Sequence, residues 1–157
     1  MKTVYINANL LYGECLRLLS TSRWKRTIRT GVLVLLRKRQ YSFTTSILTR
    51  TEILQRLMRE ENCTIRKARS LYDRVMREYE VSEISSLNKR NLLTNTFMDL
   101  VAKANLDFKD ALHLDIASKV RMVVVTHDKK FRGAFSQHPD KLRFYSRVVK
   151  PEELLND

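Results

Sequence analysis

Four residues stand where chemistry could be done: Asn7, Glu52, Asp110 and Asp128, with Asp107 and Asp115 in reserve. Asn7 ends the run Thr3-Val4-Tyr5-Ile6, and Asn9 follows two positions later, just before Leu10-Leu11. Asp128 closes a second apolar run, Met122-Val123-Val124-Val125-Thr126-His127-Asp128. Gathered in one place, such carboxylates are costly unless a divalent cation neutralises them, and Mg2+ or Mn2+ prefers oxygen ligands of this kind. Each residue also has a plainer role. Asn7 can end a strand while Asn9 caps a helix, Asp110 and Asp128 can open helices, and Glu52 can be a surface carboxylate. Taken as a set, they form the layout of an open α/β sheet, in which ligand groups sit beyond the carboxyl ends of parallel strands.

The elements that must position these residues follow from the apolar spacing. Thr3–Ile6 has the Val, Tyr and Ile of a buried strand. A helix follows over Leu10–Leu19, and Ser20-Thr21-Ser22 can cap a second helix from Trp24 to about Arg37. Trp24 lies among cations, where it can stack on a base or cover a core edge. Tyr41–Thr45 alternates as a short strand. Ile47, Leu48, Ile53, Leu54 and Leu57 then mark a helix that carries Glu52 one residue before a core position. Thr64–Tyr79 is a further helix with an apolar stripe from Ile65 to Met76 and an arginine-rich opposite face. Glu80–Ser85 reads as an edge strand or extended connection, and Asn88–Ala104 as a helix. Asn105–Lys109 is a loop, and Asp110 opens a helix to Lys119. Met122–Thr126 is a continuous β-branched run, as expected of a strand buried on both faces. A short helix over Lys129–Phe135, a last strand over Leu142–Tyr145 and a turn over Pro151–Leu155 complete the chain.

The totals bound the class. The 157 residues suit one domain, 1–157, with a real core, and 43% hydrophobic residues suit a globular protein. No apolar run approaches the roughly 18 residues that span a membrane. Met1-Lys2-Thr3 passes straight into the first strand, so no signal peptide is expected. Cys15 and Cys63 are isolated and read as reduced thiols of a cytoplasmic protein. The formal net charge of +13 implies an anionic partner, with nucleic acid the first candidate. A solubilising surface, or the charged surface of a thermophile, would give the same balance. His113, His127 and His138 lack metalloprotease spacing, no Gly-rich phosphate loop exists, and no nucleophile elbow supports a serine hydrolase.

Val4-Tyr5-Ile6-Asn7-Ala8-Asn9-Leu10-Leu11 resembles the opening motif of PIN-domain nucleases, in which an aspartate usually stands at the place of Asn7. Ser46-Ile47-Leu48-Thr49-Arg50-Thr51-Glu52-Ile53 is similar to the family's helix bearing a metal-site glutamate. Leu106–Ala117 is similar to the segment whose Asp-Ala pair holds the third acid, here Asp110. Val123–Phe131 is similar to the strand that ends in Thr-x-Asp, its acid being Asp128. No single motif is specific, but the ordered set spans nearly the whole chain. It is most similar to the VapC-like toxins of toxin–antitoxin pairs.

The resemblance implies a three-layer α/β/α sandwich with a mainly parallel central sheet. It also implies a Mg2+- or Mn2+-dependent endoribonuclease whose metal site is Asn7, Glu52, Asp110 and Asp128. Thr126 and Asn9 would orient waters or carboxylates around that site. RNA as substrate, a small antitoxin as partner and a homodimer come with the same resemblance. Asn7 departs from the pattern: an amide oxygen brings no negative charge and cannot act as a base. The chain as written is therefore expected to cut RNA slowly or not at all. Two rivals remain open: an inactive module that binds RNA or an antitoxin, and a basic interaction protein unrelated to nucleases.

Overall fold

The computed structural model describes residues 2–19, 31–85, 104, 106–143 and 145–156. β1 (Lys2–Ile6) leads into α1 (Ala8–Leu18), and α2 (Val32–Lys38) leads into β2 (Tyr41–Ser46). α3 (Ile47–Glu60) and α4 (Ile65–Glu78) pack together ahead of β3 (Ser82–Ile84). Then follow α5 (Phe108–Lys119), β4 (Val123–Val125), α6 (Lys129–Gln137), α7 (Pro139–Leu142), β5 (Val148–Val149) and α8 (Pro151–Leu155).

Among the described residues five strands form one sheet in the order β3-β2-β1-β4-β5, and every pairing is parallel. Parallel neighbours need crossover connections, and the helices between the strands supply them. Side chains alternate across the sheet as a period of two demands. Val4, Ile6 and Val125 join one core with Leu11, Leu33, Ile53 and Tyr72, from α1 to α4. Tyr5 and Val124 join a second core with Ala111, Leu114 and Phe131, from α5 and α6. Helices therefore cover both faces, and the chain is an α/β/α sandwich. Burial on both sides accounts for the unbroken valine run of β4.

Strand order reverses between β1 and β4, which makes the gap above their carboxyl ends a topological switch point. The register pairs Ile6 with Val125, so Asn7 and Thr126 leave the sheet at the same level. Backbone turns set the entry to three strands. Gln40, Glu80 and Arg121 adopt left-handed φ values of 63°, 51° and 54°, each shortly before β2, β3 or β4. Such a residue stops a helix and redirects the chain.

Several boundaries differ from the sequence reading. Asp107, not Asp110, caps α5: its carboxylate accepts from the backbone N–H of Lys109 at 2.9 Å, and Asp110 lies within the first turn. Asn7, not Asn9, caps α1, since Asn9 is already helical. Leu142 closes α7 where a strand over Leu142–Tyr145 is expected, and among the described residues the last strand is Val148–Val149. Pro139, with its fixed φ, starts that helix, and the β-branched Val148-Val149 pair takes the place beside Val124 and Val125. The helix expected from Trp24 to Arg37 is seen as α2, and residues 20–30, Trp24 among them, lie outside the described residues. The helix expected over Asn88–Ala104 falls outside them as well, apart from Ala104. Among the described residues no helix is long and apolar enough to cross a membrane.

Candidate functional site

The site begins where the sheet's two central strands stop. The backbone N–H of Asn7 donates to the carbonyl of Val125 at 3.1 Å, extending the ladder one residue past β1. The buried Asn7 side chain turns back on the helix, its Oδ1 accepting from the N–H of Asn9 at 3.3 Å. Asn9 in turn donates from Nδ2 to Thr126 Oγ1 at 2.9 Å, joining the starts of two motifs far apart in sequence. Thr126 Oγ1 also accepts from the N–H of Asp128 at 3.1 Å. Asp128 caps α6 through Oδ1, which accepts from the N–H groups of Lys130 and Phe131 at 2.8 and 3.1 Å.

Glu52 arrives from the second turn of α3. Its Oε2 lies 3.0 Å from Nε2 of His113, and its Oε1 lies 3.9 Å from Nζ of Lys109. Asp110 and His113 are three residues apart on α5, a spacing that puts both on one helical face. Asn7, Asn9, Glu52, Asp107, Asp110, His113 and Asp128 all line one cleft of about 880 Å3. Arg56, Arg59, Lys109, Lys129 and Lys130 line it too, so the cleft carries cations as well as acids. Asp115 is not among them: it is buried elsewhere on α5 and pairs with Lys119 at 2.5 Å.

The acids in the cleft act on one another electrically. Asp110 is raised from its usual 3.8 to about 7, chiefly by burial, then by the charges of Asp128, Asp107 and Glu52, with Lys109 opposing. Asn9 Oδ1 is buried without a hydrogen-bond partner among the described residues, leaving one further oxygen unsatisfied beside the same cleft. The donor set is thus made of hard oxygens, suited in kind to Mg2+ or Mn2+. Among the described residues no three Asp, Glu, His or Cys side chains are grouped so as to hold an ion between them. Mg2+ commonly keeps several waters and takes only one or two carboxylates, so the set fits an ion of that type better than an all-protein cage.

Comparison with known proteins bears on the fold. The chain is similar to the crystal structure of PAE2754 from Pyrobaculum aerophilum, with a TM-score of 0.54 and 16% identity over 99% of this chain and 88% of that one. It is also similar to the crystal structure of VapBC2 from Rickettsia felis bound to a DNA fragment from their promoter. There the TM-score is 0.58 and the identity 10%, over 94% of this chain and 98% of the other. The chain shares the fold of these structures, a PIN-like α/β/α sandwich. No family model matches the sequence, and no curated protein matches it. The likeness is therefore one of PIN-like architecture, and the chemistry rests on the cleft.

Sequence reasoning missed His113, Lys109 and the cationic members of the cleft. For His113 a signal was present, since it follows Asp110 by one helical turn. Arg56 and Arg59 lie one and two turns after Glu52 on α3, a spacing that sets them on the side facing the cleft.

Proposed function

We propose that this chain is a divalent-metal-dependent endoribonuclease, the toxin of a toxin–antitoxin pair, impaired as it stands by Asn7. The supporting observation is the convergence of Glu52, Asp110 and Asp128 with Asn7 on one cleft, where burial, and then the neighbouring carboxylates, lift Asp110 to about 7. Bound there, Mg2+ or Mn2+ would supply charge neutralisation and Lewis acidity toward a phosphodiester. One or two of Asp110, Glu52 and Asp128 would ligate the ion directly and the rest through its waters, with Asn7 contributing an amide oxygen in place of a charged one. Lys109, Lys129 and Lys130 would grip phosphates on either side of the scissile bond, in keeping with the net charge of +13. Thr126 holds Asn9 and the backbone of Asp128 in register, which fixes the cleft floor from β1 to β4. The fold shared with VapBC2 supports a small antitoxin as partner, and the motif resemblance adds a homodimer in the cytoplasm to this reading.

One observation favours a second reading, an inactive module that binds RNA or an antitoxin. Asn7 serves α1 as a helix cap, a task that needs no metal. Cleavage separates the two readings. Labelled RNA is incubated with the chain and with its Asn7→Asp variant, in Mn2+ and in EDTA. Slow cutting by the chain, faster cutting by the variant and none in EDTA support the nuclease. No cutting by either form, with RNA still bound, leaves the binding module.

A further inference from the structure

We infer that His113 is a positioning residue that fixes the carboxylate of Glu52 at the cleft, backed by Tyr5 and Ser46. The inference rests on the metal-site reading of Glu52 and adds a role that neither the motifs nor the fold assigns. The four groups come from four elements. Ser46 ends β2, Tyr5 lies within β1, His113 is on α5 and Glu52 on α3. Ser46 Oγ lies 2.7 Å from the Tyr5 hydroxyl, that hydroxyl 2.7 Å from His113 Nδ1, and His113 Nε2 3.0 Å from Glu52 Oε2.

The donors can be ordered from chemistry alone. An ionised carboxylate only accepts, so the proton between His113 and Glu52 sits on Nε2. A neutral ring then offers a lone pair at Nδ1, which the Tyr5 hydroxyl fills by donating. Its oxygen is left to accept from Ser46. Burial pushes the Tyr5 phenol up to about 12, so it stays an O–H donor across the working range. His113 is 1% exposed, while Tyr5 and Ser46 are 0% exposed. Three polar side chains in this position are costly to bury unless every one is bonded, and apolar residues would fill the volume more cheaply. What the row gains is a rigid line that ends on Glu52. With Oε2 held by His113 and Oε1 turned toward Lys109, rotation of the carboxylate is restricted from both sides. Orienting partners of this kind change metal affinity by about 10–100-fold when lost.

Two measurements on the full chain test this. In 15N-histidine spectra, the His113 proton is expected on Nε2; a neutral ring protonated only on Nδ1 overturns the assignment without any metal. Mn2+ affinity is then read from water-proton relaxation, in the chain as it stands and in the Asn7→Asp form. His113→Leu is expected to weaken Mn2+ binding about tenfold or more. His113→Gln, whose amide nitrogen reaches roughly where Nε2 stands, should recover part of that loss, and recovery is something a merely structural role would not give. Tyr5→Phe, which keeps volume and removes only the hydroxyl, should weaken binding severalfold, and it decides the matter if His113→Leu does not fold. Loss of Mn2+ in Glu52→Gln with full affinity in His113→Leu or Tyr5→Phe overturns the positioning role and leaves the metal site standing. Absence of Mn2+ binding in both parent forms overturns the metal site and this inference together.

Discussion

Asn9 Nδ2 donates to Thr126 Oγ1 across 2.9 Å, and through that bond the first polar residues after β1 are tied to the end of β4. Thr126 is fully buried and its hydroxyl oxygen also accepts from the N–H of Asp128. One oxygen therefore sets the spacing between the amide pair at the start of the chain and the acid that opens α6.

Thr126→Val keeps the shape and removes that oxygen. Two donors then lose their acceptor in a part-buried place, for a cost of about 0.5–1.5 kcal/mol. Urea denaturation should show a lower midpoint with an unchanged slope. The partner variant Asn9→Ala should be partly non-additive with it, by about 0.5–1.5 kcal/mol. Full additivity would mean that the 2.9 Å bond contributes nothing to the native state.

Asp110 predicts how stability depends on pH in EDTA. Its folded value, about 7, lies above its usual 3.8, so the native state holds a proton that the unfolded chain releases first. Its contribution is therefore fully present below about pH 4, declines as pH rises, and is lost once pH passes about 7. Relative to Asp110→Asn, the unaltered chain should lose roughly 1–3 kcal/mol across that window, after discounting for partial exposure. Melting curves for both proteins from pH 4 to 8 give the comparison. A constant difference between them would contradict the electrostatic account of the cleft.

Asn7→Asp places a further negative charge in the cleft that Asp110 also lines. Asp caps helices as well as Asn does, so α1 should be unaffected. The added repulsion should lower the melting temperature in EDTA by a few degrees, and Mn2+ should raise it more than it does in the Asn form. Equal Mn2+ responses in the two proteins would remove position 7 from the metal site.

RNA binding should depend steeply on salt, because the net charge is +13 and Arg59, Lys109, Lys129 and Lys130 face the cleft. For six or more phosphate contacts, affinity should fall on the order of a thousandfold between about 50 and 200 mM salt. Filter binding across that range is sufficient. Lys129→Ala should shallow the slope by roughly one unit if that side chain meets a phosphate.

Much of this architecture was legible in the order of residues. Val4-Tyr5-Ile6 and Val123-Val124-Val125 could only be buried strands, because a β-branched or aromatic run gains little from a helix and much from a covered sheet. The apolar periods of α3 and α4 were equally plain, as was the ordered set from Asn7 to Asp128 that anticipated a PIN-like fold. Local boundaries were less secure. Asp107 and Asp110 are both good helix starters, and only the backbone shows which one accepts from the N–H of Lys109. Leu142 could enter a strand or close a helix; Pro139 and the pairing demand of Val124 and Val125 decided between them. Long-range bonds lay beyond the sequence altogether. Nothing in the order of residues says that His113 reaches Glu52, that Tyr5 stands behind it, or that Thr126 holds Asn9. Those bonds join groups distant in the chain, whose distances depend on strand register and on which helix covers which face. The sequence supplies the donors and acceptors, and only the packed sheet brings them within reach.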